Sequence, residues 1–240
     1  LIMITLLGSS DGTSAVDYTV NCAAGFPYVT GNHHADGPPR PVNHVLPAWD
    51  ALAGMNLALA ILAAERHRRL TGEGQLVQLA LSDVAFAMTG NLGYIQEVQV
   101  NGDDRKGYGN YLYGAYGSDF DTADGRSVYI VVVTGHMWRA LAKATGLGDA
   151  FAAIERRLGL DFSREGDRFQ ASAEISEPLR AWCRQRTLAE IETCFAGTGV
   201  CWGPYRTFAQ MVAEDPRVSE ANPMFRELAQ PGIGSYLVPG

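Results

Sequence analysis

The chain has 240 residues, of which 47% are hydrophobic and 19% charged, and its formal net charge is -7 at pH 7. These values are typical of a soluble protein with one large core or two smaller ones. The acidic balance argues against a phosphate-backbone partner, so we expect no nucleic-acid binding.

The four cysteines are irregularly spaced and form no C-x-x-C pair: Cys22, Cys183, Cys194 and Cys201. The histidines add no ligand spacing to them. We therefore expect free thiols, no metal site and a reducing cytoplasm.

The two ends of the chain indicate a piece of a longer protein. It begins without Met, inside the apolar run at residues 1–4, and stops at Pro239-Gly240 without a closing element. No signal peptide is visible. The apolar run 51–64 is too short to span a bilayer and contains Asn56, so we expect no membrane association.

In chain order, the first predicted elements alternate between strands and helices. Residues 1–7 are predicted to form a buried strand. Residues 51–64 form a helix without a wide polar face, which predicts burial inside the domain, and Gly72 ends it as a left-handed cap. A second buried strand at 75–81 and a helix at 83–98 follow. This alternation predicts an α/β layer.

A second α/β pattern follows a Gly/Tyr-rich loop at residues 101–119. The Asp-Gly pair at 124–125 predicts a hairpin turn, and the β-branched run 127–133 predicts a strand. A helix is predicted at 136–145, and further helices at 149–196.

A single acid, Asp50, stands at the entrance of the apolar helix, after a turn at residues 46–49. Asp is a preferred N-cap residue, so ordinary capping is one interpretation. The other is a carboxylate nucleophile, because a helix N-terminus can keep a carboxylate ionised where water is excluded. Position alone leaves both interpretations open.

The loop before Asp50 contains three histidines. His33 and His34 are adjacent and therefore point in different directions, and no carboxylate cluster accompanies them, so we expect solvated loop residues. His44 is nearer to Asp50. The sequence has no G-x-S-x-G elbow, no H-E-x-x-H and no G-x-G-x-x-G fingerprint, which disfavours a hydrolase triad, a zinc protease and a dinucleotide enzyme.

Residues 50–75 resemble a motif of the family III CoA-transferases, the group of formyl-CoA transferase and carnitine CoA-transferase. The matching features are Asp50-x-x-x-Gly54-Met55, Ile61-Leu62-Ala63-Ala64, an Arg-rich turn and Thr71-Gly72-Glu73-Gly74-Gln75. The resemblance covers nearly the whole chain but only the middle of the family's length. It implies an α/β fold and an interlocked homodimer.

The same resemblance implies a domain organisation. Residues 1–120 correspond to part of a Rossmann-like large domain, truncated here. Residues 121–200 correspond to a smaller α/β domain, and residues 201–240 to a return segment toward the large domain.

The resemblance also implies a mechanism in which Asp50 is the nucleophile. It attacks an acyl-CoA thioester to form a mixed anhydride, and CoA passes through an aspartyl-CoA thioester to the acceptor carboxylate. CoA is then a substrate, and no permanently bound cofactor or metal is expected. The family's racemases need a His directly before an upstream Asp, and here Val16 precedes Asp17, which disfavours racemase chemistry. Asp17 is expected to orient Asp50 or to bind substrate, with a plain capping or surface role as the alternative.

Within the family, residues 15–21, 25–27, 41–50 and 108–114 resemble members that move CoA between the two carboxyl groups of mesaconate. Intermolecular transfer between an acyl-CoA and a free acid, and a homologue that binds acyl-CoA without turnover, are the alternatives. In formyl-CoA transferases a glycine-rich loop covers the active site at the position of the Gly/Tyr-rich loop 101–119. The expected substrate-binding residues are Asp17, Arg40, Asn43, His44, Tyr108, Gly109 and Asn110.

Overall fold

The computed structural model describes residues 1–31 and 40–240, and these form two compact units, Leu1–Gly109 and Asn110–Gly240. Both units mix helices with strands. The α/β fold class predicted from the sequence is confirmed.

The first unit is built around a β-α-β arrangement. Its described elements are β1 (Ile2–Leu7), α1 (Asp17–Ala23), α2 (Phe26–Thr30), α3 (Ala48–Thr71), β2 (Gln75–Ala80), α4 (Leu81–Asn91) and α5 (Tyr94–Asn101). β1 and β2 pair in parallel, and Ile2 stands opposite Gln75. Parallel strands need a crossover connection, which α1, α2 and α3 supply here. Both predicted strands are present, and the left-handed cap at Gly72, with φ 79°, is confirmed. The prediction that the two strands are buried is wrong, because no residue of β1 and only Ala80 of β2 is buried.

The prediction of one helix over residues 83–98 is wrong, because the chain forms α4 and α5 instead. Gly93 lies between them with φ 84°, in the left-handed region, and its N–H donates to the Gly90 carbonyl oxygen at 3.0 Å. A left-handed residue ends the path of the first helix and lets the second begin in a new direction.

The prediction that residues 51–64 are buried is wrong for most of the helix. Ala53 and Ala64 are 0% and 1% exposed, but Leu59 and Leu62 are 64% and 65% exposed. α3 packs through a narrow line of small residues, and the rest of its apolar surface faces solvent. By length and composition α3 could also cross a membrane. Exposed apolar side chains along one helix are also typical of a protein interface. The absence of membrane association stays a prediction.

The second unit contains a three-stranded sheet, a set of helices and a C-terminal hairpin. Its described elements are β3 (Tyr116–Asp121), β4 (Ser127–Val132), α6 (Gly135–Thr145), α7 (Gly148–Leu158), α8 (Glu165–Gln170), α9 (Ser172–Arg184), α10 (Leu188–Phe195), β5 (Cys201–Pro204), α11 (Phe208–Glu214), β6 (Phe225–Gln230) and β7 (Gly234–Pro239). β4 lies between β3 and β5 and is antiparallel to both. The hairpin turn at 124–125, the strand at 127–133 and the helices at 136–145 and 149–196 are confirmed.

The core of the second unit lies between β4 and the helices. Val128, Ile130 and Val132 alternate along β4 and are each 0% exposed, as expected for one face of a strand. α9 contributes Ile175 and Leu179 to the same cluster, also at 0% exposure. The strand face and the helix therefore close a continuous core.

An ion-pair network joins the end of α11 to the turn between β3 and β4. Asp215 accepts hydrogen bonds from Arg217 Nη2 at 2.6 Å and Arg206 Nη1 at 2.8 Å, and Glu214 accepts from Arg126 Nη2 at 2.9 Å. The hydrogen bonds from Arg217, followed by the charges of Arg217 and Arg206, hold the pKa of Asp215 well below its usual range. These carboxylates are therefore anionic in the folded protein at neutral pH.

The three-stranded sheet includes residues on both sides of the predicted domain boundaries. β3 begins at Tyr116, before the boundary at 120, and β5 ends at Pro204, after the boundary at 200. The assignment of residues 1–120, 121–200 and 201–240 to the family's domains stays a prediction.

Candidate functional site

Asp50 lies in the first turn of α3. The helix begins at Ala48 rather than at Ala51, so Asp50 is its third residue and the N-cap position is occupied by Pro47. The interpretation of Asp50 as the N-cap is therefore wrong. The residue is exposed, and no hydrogen bond from a residue in ranges 1–31 and 40–240 reaches its carboxylate. A carboxylate in this state is available to an incoming ligand.

The N-terminus of α3 is capped by a side chain from α1. Asp17 is 3% exposed, and its Oδ2 accepts hydrogen bonds from the backbone N–H groups of Trp49 at 2.7 Å and Asp50 at 3.1 Å. Two of the N–H groups that a helix leaves unpaired at its start are thereby satisfied. The other oxygen, Oδ1, is buried and has no hydrogen-bond partner within the described part of the chain.

A second contact fixes the side chain of Trp49. Asn21 lies four residues after Asp17 on α1, and this spacing places both on one face of the helix. Asn21 is 1% exposed; its Oδ1 accepts from the Trp49 indole N–H at 3.2 Å, and its Nδ2 donates to Asn43 Oδ1 at 3.2 Å. The turn that leads to Asp50 is therefore held by its backbone and by its indole.

Sequence reasoning missed Asn21 and Trp49 as members of this cluster. The available signal was the spacing of four residues between Asp17 and Asn21, which places both on one face if the segment is helical. It was not sufficient, because the contact with Trp49 joins residues 28 positions apart in the chain.

Aromatic rings continue from Trp49 into the first unit. The ring centroid of Phe26 is 5.4 Å from that of Trp49 and 5.5 Å from that of Tyr94. The guanidinium of Arg105 stacks on Tyr94 at 4.3 Å and pairs with Glu97 at 2.5 Å. Phe26, Tyr94 and Arg105 also line a mainly apolar cavity of about 560 Å³. The turn before Asp50 therefore packs, through the Trp49 ring, against Phe26, which in turn contacts Tyr94.

The predicted substrate-binding residues at 40–44 lie on the segment that leads to this turn. Arg40 and Asn43 are exposed, and Asn43 joins the cluster through Asn21. His44 is half-buried, with its Nδ1 2.6 Å from the carbonyl oxygen of Leu46. The structure therefore brings Asp17, Asn43 and the turn before Asp50 together, whereas Arg40 forms no ion pair with a described residue.

The predicted residues at 108–110 lie where the two units meet in the sequence. Tyr108 and Gly109 end the first unit, and Gly109 has φ 59°. Asn110 begins the second unit, and its carbonyl oxygen accepts a hydrogen bond from the Tyr129 hydroxyl at 2.7 Å. Burial raises the pKa of Tyr129 to about 12, so this hydroxyl remains a donor at neutral pH.

Two further sequence expectations concern metals. His33 and His34 lie outside the described residues. In the described ranges, no group of three or more His, Cys, Asp or Glu side chains is arranged to hold a metal ion. The four cysteines are free thiols.

The chain matches the model of a known protein family along nearly its whole length. The model of CoA-transferase family III matches residues 5–240. This chain belongs to CoA-transferase family III. The family resemblance expected from residues 50–75 is therefore confirmed.

Individual relatives narrow the comparison within CoA-transferase family III. The chain is 56% identical over 240 residues to 2-methylfumaryl-CoA isomerase of Chloroflexus aurantiacus, covering 100% of this chain and 58% of the relative. It is 30% identical over 226 residues to succinyl-CoA:mesaconate CoA-transferase of Haloarcula marismortui, covering 94% of this chain and 53% of the relative. The chain therefore spans little more than half the length of these relatives.

Solved structures agree with the fold. A CAIB/BAIF family protein from Brucella suis superposes with a TM-score of 0.70 at 22% identity, covering 94% of this chain and 57% of that one. A hypothetical protein from Mycobacterium tuberculosis gives a TM-score of 0.72 at 23% identity, covering 100% and 61%. At this level of identity the likeness concerns the fold alone.

Proposed function

We propose that the protein containing this chain moves CoA from one carboxyl group of 2-methylfumarate (mesaconate) to the other. The observation that supports this most strongly is the 56% identity to 2-methylfumaryl-CoA isomerase along all 240 residues. Identity to the succinyl-CoA:mesaconate CoA-transferase of Haloarcula marismortui is 30%. The proposed reaction is an isomerisation, because one thioester is broken and one is formed on the same diacid.

Asp50 is the proposed nucleophile. A carboxylate oxygen attacks the thioester carbon, the C–S bond breaks, and CoA leaves as the thiolate while a mixed anhydride forms. The thiolate then attacks the Asp50 carbonyl carbon of that anhydride and releases the diacid, which leaves an aspartyl-CoA thioester. The diacid attacks this thioester through its other carboxylate, the C–S bond breaks, and CoA leaves again as the thiolate while a second mixed anhydride forms. The thiolate then attacks the acyl carbon of the diacid in that anhydride, and the C–O bond to the Asp50 carboxylate breaks. The new thioester is released and the Asp50 carboxylate is restored.

This sequence of steps makes three physical demands on the site. The nucleophile must be free to attack, and the exposed Asp50 carboxylate, without a hydrogen-bond partner among the described residues, meets this demand. The tetrahedral oxyanions need donors, and water must be kept from the anhydride. We assign the closing role to the loop with Tyr108, Gly109 and Asn110, as the family resemblance implies.

The second carboxylate of the diacid needs a polar binding site while CoA is covalently bound to the enzyme. Arg40, Asn43 and His44 are proposed for it, because they lie on the segment directly before the turn at Asp50. Asn43 is already tied to that turn through Asn21. An arginine can bind a carboxylate with two parallel hydrogen bonds, which gives Arg40 the strongest part in holding the diacid.

An isotope experiment separates the isomerase from an intermolecular transferase. The full-length protein is supplied with unlabelled 2-methylfumaryl-CoA and free mesaconate labelled with carbon-13. Intramolecular transfer predicts conversion of the thioester without entry of carbon-13 into it. Label in the product thioester would support intermolecular transfer, the activity named for the Haloarcula marismortui relative.

The first prediction is that Asp50→Asn abolishes turnover, by about ten-thousand-fold or more, because an amide oxygen does not replace a carboxylate nucleophile. Asp83→Asn is the matched control, since Asp83 is the third residue of α4 as Asp50 is of α3, and both are exposed. Both variants lose a similar interaction with a helix dipole, roughly 0.3–1 kcal/mol. Turnover by Asp50→Asn close to that of Asp83→Asn would refute the assignment.

The fate of one oxygen tests the anhydride path directly. In the proposed steps the attacking carboxylate of the diacid leaves one of its oxygens on Asp50. A single turnover with substrate carrying oxygen-18 in its free carboxylate is therefore expected to place oxygen-18 in Asp50, measured by mass spectrometry of the peptide. An unlabelled Asp50 after complete conversion would exclude this path.

We also propose a cytoplasmic homodimer. The large exposed apolar surface of α3, with Leu59 and Leu62 about two-thirds exposed, supports an interface in the full-length protein. Light scattering of the full-length protein should give the mass of a dimer, and a monodisperse monomer would contradict the proposal.

A further inference from the structure

The cap of α3 differs from the other side-chain caps in the described part of the chain. Thr134, Thr187 and Thr207 each cap the helix that directly follows them, through a hydroxyl oxygen. α3 follows Pro47, whose side chain has no polar atom, and it is capped instead by Asp17, which lies 33 residues before Asp50. α10 also has a distant carboxylate at its start, since the Leu188 N–H donates to Asp124, but there it accompanies the local cap Thr187. At α3 the distant carboxylate replaces the local side-chain cap.

This carboxylate is held under conditions that cost stability. Asp17 is 3% exposed, forms no ion pair with a described residue, and leaves Oδ1 without a hydrogen-bond partner among them. Burying a polar oxygen without a hydrogen-bond partner is unfavourable. A local side-chain cap, as at the helices that follow Thr134, Thr187 and Thr207, would satisfy α3 without this cost, so the backbone groups that Asp17 holds are the feature to explain.

The two N–H groups bound by Asp17 show what it fixes. One belongs to Trp49 and the other, at 3.1 Å, to Asp50 itself. The hydrogen bonds therefore hold the backbone from which the Asp50 side chain projects. They also occupy the donors at the positive end of the helix, so these donors do not bind the Asp50 carboxylate.

We propose that Asp17 is a positioning residue for the nucleophile: its carboxylate fixes the backbone at Trp49 and Asp50, and it leaves the Asp50 carboxylate free to attack a thioester. This inference rests on the proposed function of Asp50. It assigns Asp17 to a hydrogen-bond acceptor role and needs no contact between Asp17 and the substrate.

The test compares Asp17→Ala and Asp17→Asn in the full-length protein, with Thr187→Ala as the matched control. Asp17→Ala removes the acceptor, and a small displacement of a reacting group can lower a rate by about 100-fold. We expect kcat of Asp17→Ala to fall by about that factor while KM changes by less than about threefold. Asp17→Asn keeps an oxygen of the same shape for both N–H groups, so it should restore kcat to within about fivefold of the wild type.

Thr187→Ala removes a helix cap in the second unit at a residue that is not part of the proposed site, and it should leave kcat unchanged. Hydrogen exchange gives a second measurement that is independent of activity. The amides of Trp49 and Asp50 should exchange faster in Asp17→Ala than in the wild type and in Asp17→Asn.

The outcomes separate this inference from the proposed function. If the wild type transfers no CoA, or Asp50→Asn remains active, the proposed function fails. If the wild type is active and Asp50→Asn is not, a kcat of Asp17→Ala within threefold of the wild type overturns the positioning role. Equal losses in Asp17→Asn and Asp17→Ala also overturn it, because charge rather than hydrogen bonding would then be responsible.

Discussion

The two units of the chain bury their apolar side chains to very different extents. In the second unit a β-strand face and several helices enclose a continuous core, in which Ile130, Leu141, Ile175 and Leu179 are 0% exposed. The core of the first unit is smaller and is made largely of alanine, valine and one tryptophan.

The difference shows which apolar side chains are buried by contacts within the chain and which remain exposed. In the second unit the three-stranded sheet and helices α6, α7, α9 and α10 bury their apolar faces against one another, whereas α11 and the hairpin of β6 and β7 contain no buried residue. The first unit, which contains Asp50, leaves most of α3 exposed and buries only a small cluster, in which Trp49 and Ala53 of α3 pack with α1 and α4. The exposed apolar surface of α3 is therefore available for contact with another protein chain.

The largest effect on stability is expected from a core residue of the second unit. Leu179→Ala removes a fully buried side chain and should lower the free energy of unfolding by about 2–5 kcal/mol. Urea unfolding of this chain measures the change. Leu62→Ala, the same substitution at a 65% exposed position of α3, should cost less than about 0.5 kcal/mol. Equal losses of unfolding free energy in the two variants would contradict the difference in burial between the two units.

A smaller effect, dependent on pH, is expected from Asp215. Its pKa is depressed in the folded state by hydrogen bonds from Arg217, so it contributes stability above its unfolded pKa of about 3.9 and loses that contribution as pH falls further. Asp215→Asn should therefore be less stable than the wild type at pH 7, and the difference should shrink below about pH 4. Asp149→Asn, at an exposed position of the same unit, is the control. A difference independent of pH would show that the ion pairs contribute nothing.

The smallest effect on the chain itself is expected at the exposed face of α3. Leu59→Gln should change the free energy of unfolding of this chain by less than about 0.5 kcal/mol, because the side chain is 64% exposed. In the full-length protein the same substitution should weaken the proposed dimer, measured by sedimentation at decreasing concentration. An unchanged dissociation constant would exclude this face from the interface.

Much of the fold was predictable because its signals are local. The β-branched run at 127–133, the Asp-Gly turn at 124–125 and the glycine cap at Gly72 depend on the preferences of neighbouring residues. The break at Gly93 was not predictable with the same rules, because a single glycine is tolerated inside a helix and equally able to end one.

The candidate site was predictable only in part. Asp50 was found through a sequence motif, and Asp17 through its position in the family pattern. The hydrogen bonds between them were not predictable, because they join residues that approach each other only in the folded chain. The burial of α3 was predicted wrongly for a related reason: an apolar run shows that a helix prefers apolar surroundings but not which molecule supplies them.

The cap at α3 has a consequence for the order of folding. Most N–H groups of α3 find their acceptors within one turn, so the helix can grow locally once it is nucleated. The N–H groups of Trp49 and Asp50 have their acceptor on Asp17, so the chain between Asp17 and Trp49 must close into a loop before these hydrogen bonds form. The entropic cost of closing a loop rises only slowly with its length. The turn that carries Asp50 therefore becomes ordered when α1 docks. A refolding chain that has formed its helices before α1 docks would therefore still lack a correctly positioned Asp50.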